Sequence, residues 1–397
     1  MASKAHEFIE LEGTYAANTY KPIDVVIESG EGSWVVDVDG NRYLDCLSAY
    51  SAVNQGHCNP RIKAAMIEQL NKVTLTSRAF RNNKLGPFLK KLSEVTGYDM
   101  AIPMNSGAEA VEAAVKAARK WGYKVKGIPD NQAEIITFTG NFHGRTTTVI
   151  SFSSEEQYKE DFGPLTPGFK IVEYGNIDAL KEAITPNTAA ILVEPIQGEG
   201  GVVVPAAGFL KEAFEVCKAN NVLFIADEIQ TGLGRTGKLF ATDHAGIRPD
   251  IITIGKALSG GFYPVSAAIA DRGILGLFRP GDHGSTFGGN PLGAVVAKTA
   301  LEVLIDENLV ERSHEMGEYF MGRLRRLESD IIKEVRGKGL LIGMELTEPA
   351  RPYAYQLKAK GVLAKETHDN VIRFAPPLVI TKDEIDWAMG HIEAVFN

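Results

Sequence analysis

The chain of 397 residues is long enough for two or three domains, and 44% apolar with 23% charged residues is the balance of a water-soluble globular protein. A net charge of −8, with no run rich in Lys or Arg, argues against a nucleic-acid partner, which needs basic surface to neutralise phosphates. No stretch approaches the roughly 18 continuous apolar residues of a membrane span. Cys46, Cys58 and Cys217 lack any C-x-x-C spacing, so neither a disulfide framework nor a metal site is expected.

In chain order, the start MASKAHEFIELEG carries no apolar signal core, and a cytoplasmic protein is expected. Residues 1–55 read as an extended arm and a hairpin, because GSWVVDVDGNRYLD alternates apolar and polar residues around Asp39-Gly40. Over 56–290, apolar runs alternate with helical patterns. The runs are AEIITFTG, FKIVEYG, AAILVEP, VLFIADE, DIITIG and PVSAAIAD. Helix-length segments such as GAEAVEAAVKAARKWG and AGFLKEAFEVCKANN lie between several of them. Runs apolar almost throughout, separated by helices, predict an α/β domain with a mainly parallel sheet covered on both faces. The segment 291–397 predicts a smaller α+β domain. It has one long helical stretch, strands around RGKGLLIGMEL and NVIRFAPPLVI, and a last helix opened by a Thr381–Glu384 capping box.

Ligands of open parallel sheets collect beyond the carboxyl ends of the strands. VLFIADE ends near Asp227, and DIITIG ends just before Lys256. Taken alone, Asp227 is a turn residue and Lys256 a solvated lysine. Together at one sheet edge they suggest a purposeful pair, because a lysine in a partly dry site can attack a carbonyl as a free amine. Asn105, Ser106 and Gly107 open a helix whose N-terminus suits a phosphate, although the motif alone is also that of an ordinary capped helix. HGSTFGGNPLG is a second glycine-rich turn before a helix. Neither it nor GLGRTGK has the spacing of a nucleotide-triphosphate loop, and no G-x-G-x-x-G follows an N-terminal strand.

A carbonyl-reactive lysine, an acid for a pyridinium and a phosphate cradle are the groups that pyridoxal phosphate requires. The chain resembles the class III, fold-type I aminotransferases that use this cofactor, and within them the members acting on ornithine. The likeness runs over essentially the whole chain through YSAVNQGHCNP, TLTSRAF, VEPIQGEGGVVVP, VLFIADEIQTGLGRTG, GKALSGGFYPVSA, GSTFGGNPLG, VRGKGLL and RFAPPLVI. It implies a large domain with a mainly parallel seven-stranded sheet plus the smaller α+β domain. It also implies a homodimer or dimer of dimers.

By that resemblance Lys256 holds the cofactor covalently and shuttles a proton, while Asp227 pairs with the ring nitrogen. Gln230 lies near the ring oxygen and Phe142 stacks on the ring. Ser106, Gly107 and Ala108 contact the phosphate, Ser285 is a further cofactor-binding residue, and Thr286 reaches the phosphate across the dimer interface. His143 replaces the tryptophan of animal members; it either hydrogen-bonds near the ring or fills space. The implied reaction moves the δ-amine of L-ornithine to 2-oxoglutarate. Arg373 and Arg145 would then hold the two carboxylates of 2-oxoglutarate. Glu199 neutralises Arg373 when ornithine occupies the site, Tyr20 receives ornithine's distal carboxylate, and Tyr50 forms an aromatic wall. Rival expectations are another ω-aminotransferase, acting on acetylornithine, 4-aminobutyrate or lysine, and a non-catalytic binding protein of the same fold.

Overall fold

All six apolar runs become strands in the computed structural model, which describes residues 4–396, and a seventh joins them. Across the sheet the order is Met100–Met104, Ser266–Ala270, Ile251–Ile254, Leu223–Asp227, Thr188–Val193, Glu134–Phe138 and Phe169–Val172. Only Ser266–Ala270 runs antiparallel to its neighbours; the remaining contacts are parallel. Four central strands are buried at every position, the pattern of a sheet covered on both sides. Successive residues feed opposite layers. Ile136, Ile191, Phe224 and Ile252 enter one core, while Ile135, Ala190, Ile225 and Ile251 enter the other. Helix Gly107–Trp121 packs on the second face through Val111, Ala114, Val115 and Ala118. Its alanines let the helix approach the strands closely.

The seventh strand, Met100–Met104, contains Pro103, which disguises it in sequence. It lies at the sheet edge, pairing only with Ser266–Ala270, where a residue without an N–H is tolerated.

Two smaller sheets complete the molecule. The hairpin Trp34–Asp37 and Arg42–Asp45 forms as expected, and Val362–Leu363 adds to it in parallel, with Val362 opposite Leu44. The other sheet orders Ile332–Lys338, Leu341–Leu346, Val371–Phe374 and Lys365–Thr367. Two expectations are corrected. The arm begins as helix Lys4–Tyr15, which buries none of its residues, rather than as extended chain. The long helical stretch after 291 breaks into Pro291–Asp306 and Leu309–Leu324, because Asn308 between them is left-handed at φ 53°, a conformation asparagine tolerates better than most residues. The last helix, Lys382–Phe396, opens on the expected box: Thr381 N–H donates to Glu384 Oε2 at 2.8 Å and Glu384 N–H to Thr381 Oγ1 at 3.2 Å.

Candidate active site

The parallel strands end along one edge, and the polar residues there face a common cavity. Asp227 is the last residue of its strand. Its Oδ1 accepts from Ile229 N–H and from Thr253 Oγ1, each at 3.1 Å, and its Oδ2 lies 2.6 Å from His143 Nδ1. Burial by itself would lower the His143 pKa, but the bond to Asp227 and its charge outweigh burial and hold it raised. His143 Nε2 is buried without a partner among the described residues.

Lys256 follows Gly255 out of strand Ile251–Ile254 into a short turn, and its own backbone is left-handed at φ 43°. A non-glycine residue held this way costs roughly 1–2 kcal/mol, the kind of local strain that collects at working sites. Its half-buried side chain carries a desolvated amine. Burial drives the pKa from 10.5 to about 8, with Glu199 pulling it up, Arg373 pushing it down and Asp227 pulling it up. An amine near 8 has an appreciable free-base fraction at neutral pH, which a nucleophile requires.

The cavity beside these groups has a volume of about 190 Å³. Gly107 and Ala108 form part of its wall, as do Phe142, His143, Gln230 and Lys256. Gly107 and Ala108 are the first residues of the fifteen-residue helix, where backbone N–H groups lack intrahelical partners. Ser106 caps this helix. Its Oγ accepts from Glu109 N–H at 3.3 Å, and Glu109 Oε2 accepts from Ser106 N–H at 2.7 Å. Ser106 O is itself fixed by Ser266 Oγ at 2.6 Å, which ties the cradle to the sheet. At Gly107 an added Cβ would lie 3.1 Å from Ile229 Cδ1, so the wall there is tight against that side chain.

A second hollow of about 210 Å³ shares Phe142 and is lined by Tyr50, Tyr158 and Glu199 among others. Arg373 stands behind it on strand Val371–Phe374, only 1% exposed. Arg373 Nη1 donates to Glu199 Oε1 at 2.6 Å and to Gln230 Oε1 at 3.2 Å, and Gln230 Nε2 donates to Glu199 Oε1 at 3.1 Å. Burial would raise the Glu199 carboxyl, but Arg373 and Lys256 bring it down to about 2. The Tyr50 ring covers the guanidinium at 4.8 Å. Arg373 Nε and Nη2 are buried without partners among the described residues, two donors in the fork geometry that binds a carboxylate.

The structure thus brings together Lys256, Asp227, His143, Phe142, Gln230, Gly107 and Ala108, with Tyr50, Glu199 and Arg373 adjoining. The remaining expected residues lie further out. Arg145 is exposed and stacks on Tyr158, 3.4 Å from the ring centroid. Tyr20 is 82% exposed and faces a third hollow that Tyr50 also lines. Ser285 accepts from Asn105 Nδ2 at 3.0 Å, while Thr286 is exposed on the same loop and lines none of these hollows. Sequence reasoning passed over Glu194, although it follows strand Thr188–Val193 by the same strand-end rule that found Asp227. It lines the cavity, accepts from Phe142 N–H at 2.9 Å, and is raised to about 7, chiefly by burial.

The family model of class-III aminotransferases matches residues 15–396. The chain is 61% identical to an ornithine aminotransferase of Bacillus subtilis (strain 168), an alignment covering 100% of this chain and 98% of that one. A solved ornithine aminotransferase from Toxoplasma gondii, described with partial occupancy of PLP at its active site, superposes with a TM-score of 0.97 at 46% identity, over 99% of this chain and 94% of the other. An acetylornithine aminotransferase from Elizabethkingia anophelis superposes at 0.90 with 49% identity, over 99% of both chains. The chain belongs to the class-III aminotransferases.

Proposed function

We propose that the protein uses pyridoxal phosphate to transfer the δ-amino group of L-ornithine to 2-oxoglutarate, giving L-glutamate 5-semialdehyde and L-glutamate. The residues fit that cofactor on observations of this structure. A helix N-terminus with a capped first turn and a glycine at its first position suits its phosphate. A buried aspartate fixed by an imidazole suits a protonated ring nitrogen, and a desolvated amine suits its aldehyde. Lys256 would hold it covalently and Asp227 would pair with the ring nitrogen. Phe142, His143 and Gln230 would surround the ring. Ser106, Gly107 and Ala108 would hold the phosphate, with Ser285 also binding the cofactor and Thr286 reaching the phosphate from the other subunit of a homodimer. When bound, pyridoxal phosphate supplies an electron-withdrawing ring that accommodates the charge left as a substrate C–H bond breaks.

The chain's own groups then do three things. Lys256 Nζ, as a free base, would take the proton from the reacting carbon of the amine donor and deliver it to the carbon that receives the amino group. Asp227 is held in place by its bonds to Thr253, Ile229 N–H and His143. Arg373 offers its fork to the carboxylate beside the reacting carbon of 2-oxoglutarate, and Arg145 serves the far carboxylate.

The observation that carries this reading is the Glu199–Arg373 pair. Ornithine entering by its δ-amine brings no carboxylate beside its reacting carbon. A buried arginine would then lose its counter-charge, at a cost of about 3–5 kcal/mol. Glu199 supplies that charge from within the protein. Tyr50 and Tyr20 would form the wall and the far end of the ornithine site.

The test is a half-reaction assay with ornithine, acetylornithine, lysine and 4-aminobutyrate, trapping the semialdehyde formed. Ornithine should react fastest. Faster reaction of acetylornithine would favour the second reading, which the acetylornithine aminotransferase relative supports. Borohydride reduction followed by peptide mass mapping should place the cofactor on Lys256. We propose the divisions 1–55, 56–290 and 291–397 for the arm, the cofactor-binding domain and the C-terminal domain, and a cytoplasmic location. Among the described residues no helix is long and apolar enough to cross a membrane.

A further inference from the structure

Residues Ser48, Ala49, Tyr50 and Ser51 are all left-handed, with φ of 45°, 48°, 59° and 72°, and none of them is glycine. Left-handed backbone crowds the Cβ of an L-residue against its carbonyl, so four in succession persist only where the surroundings impose them. Asp45 Oδ1 accepts from Leu47 N–H at 2.9 Å and Ser48 N–H at 2.8 Å, fixing the entry to the turn. Ser48 Oγ donates to Ala375 O at 2.6 Å and accepts from Arg235 Nη2 at 3.1 Å.

Arg235 is fully buried, and among the described residues its guanidinium donates only to neutral oxygens. Nη1 donates to Leu340 O at 2.9 Å and to Pro376 O at 2.6 Å, while Nη2 also donates to Asn54 Oδ1. Burial lowers its pKa to about 9. The charge of Asp45 offsets part of that burial, but a cation with no carboxylate hydrogen-bonded to it is still costly to bury, and an apolar side chain would fill the space more cheaply. An apolar side chain would not bind oxygens from three separate segments. Arg235 follows Asp227 along the chain, Ser48 and Asn54 flank Tyr50, and Pro376 lies just beyond Arg373. One rigid guanidinium therefore ties the Ser48 and Asn54 segment, which holds Tyr50, and Pro376, just beyond Arg373, to the loop that follows strand Leu223–Asp227.

We infer that Arg235, acting through Ser48, is a positioning residue that holds the Tyr50 turn over Arg373 and so sets substrate affinity. The inference rests on the proposed function in that Tyr50 and Arg373 bound the substrate hollow. Replacing Arg235 itself would strand several buried acceptors and risk unfolding the chain, so the test uses Ser48→Ala in the holoenzyme. KM for ornithine and for 2-oxoglutarate should rise about five- to tenfold, with kcat and bound-cofactor absorbance within about twofold of wild type. Adding Ala49→Gly should recover most of that loss, since glycine reaches the left-handed conformation without crowding. Unchanged KM in Ser48→Ala, a fall in kcat at constant KM, or no recovery in the double variant would each overturn the clamp. Should wild type fail to transaminate ornithine, the functional reading fails instead. The crystal structure of Ser48→Ala then judges the clamp alone: release of the turn supports it, and Tyr50 still left-handed over Arg373 overturns it.

Discussion

Glu199 Oε1 lies 2.6 Å from Arg373 Nη1, and the two charges face each other at the edge of a hollow that Tyr50 walls. Arg373 keeps Nε and Nη2 without partners among the described residues, so one cation can serve an internal carboxylate or an incoming one. Under the proposed function this is a switch between half-reactions. Glu199→Ala should leave Arg373 open to the α-carboxylate of glutamate. The rate with glutamate relative to ornithine should then rise roughly 10- to 100-fold, within the 3–5 kcal/mol penalty of an unpaired buried charge. Single-turnover rates for the two amine donors measure the ratio, and an unchanged ratio removes the switch.

How much of this was legible in the sequence depends on whether local pattern or distant register sets the position. Asp227 and Lys256 were visible because their strands are apolar throughout and end abruptly. Strand Met100–Met104 was not, since Pro103 argues against a strand and only its place at the sheet edge resolves the conflict. The Glu199–Arg373–Tyr50 group has no local signature. Arg373 reaches the site through the pairing of Val371–Phe374 with Leu341–Leu346, where it stands opposite Gly343. Tyr50 reaches it through four left-handed residues that no hydrophobic period encodes. Family resemblance supplied these three positions because it carries register that a single chain does not display. The break at Asn308 likewise sits inside a stretch whose helical pattern looks continuous.

Thr286 is exposed and lines none of the hollows around Lys256 in one chain. In the proposed homodimer it binds the partner's phosphate, so Thr286→Ala should weaken cofactor binding about tenfold, as expected for one hydrogen bond to a charged group. Titrating apo-protein with pyridoxal phosphate, followed by quenching of intrinsic fluorescence, measures this. Wild-type affinity in the variant would take Thr286 out of the site.

Glu194 makes a prediction about stability. Burial raises it to about 7, His143 pulling it down and Asp227 pushing it up, with Glu199 a further like charge nearby. Between the ordinary glutamate value of 4.5 and about 7, the folded chain keeps a proton that the unfolded chain has lost. Folded stability from this group is therefore lost as pH rises through that window. Glu194→Gln removes the titration and keeps an acceptor for Phe142 N–H. Relative to wild type, the apo variant should gain stability between about pH 5 and about pH 8, by at most about 3 kcal/mol. Urea unfolding across that range is the measurement, and a constant difference would show that Glu194 does not titrate there.

Lys256 carries the last prediction, and its sign follows from its neighbours. With burial lowering its pKa from 10.5 to about 8, the amine is a cation below that value and a free base above it. In the apo-protein, reductive labelling of Lys256 by a small aldehyde should rise with pH about a midpoint near 8, well before solvated lysines near 10.4 respond. Glu199 and Asp227 stabilise the ammonium, so Glu199→Gln and Asp227→Asn should each move the midpoint down. Arg373 opposes it, so Arg373→Met should move it up. Peptide mass spectrometry after brief labelling at each pH reads all four proteins. A wild-type midpoint at the ordinary lysine value would mean that Nζ is solvated, and the cavity would then lack the free amine on which the proposed chemistry depends.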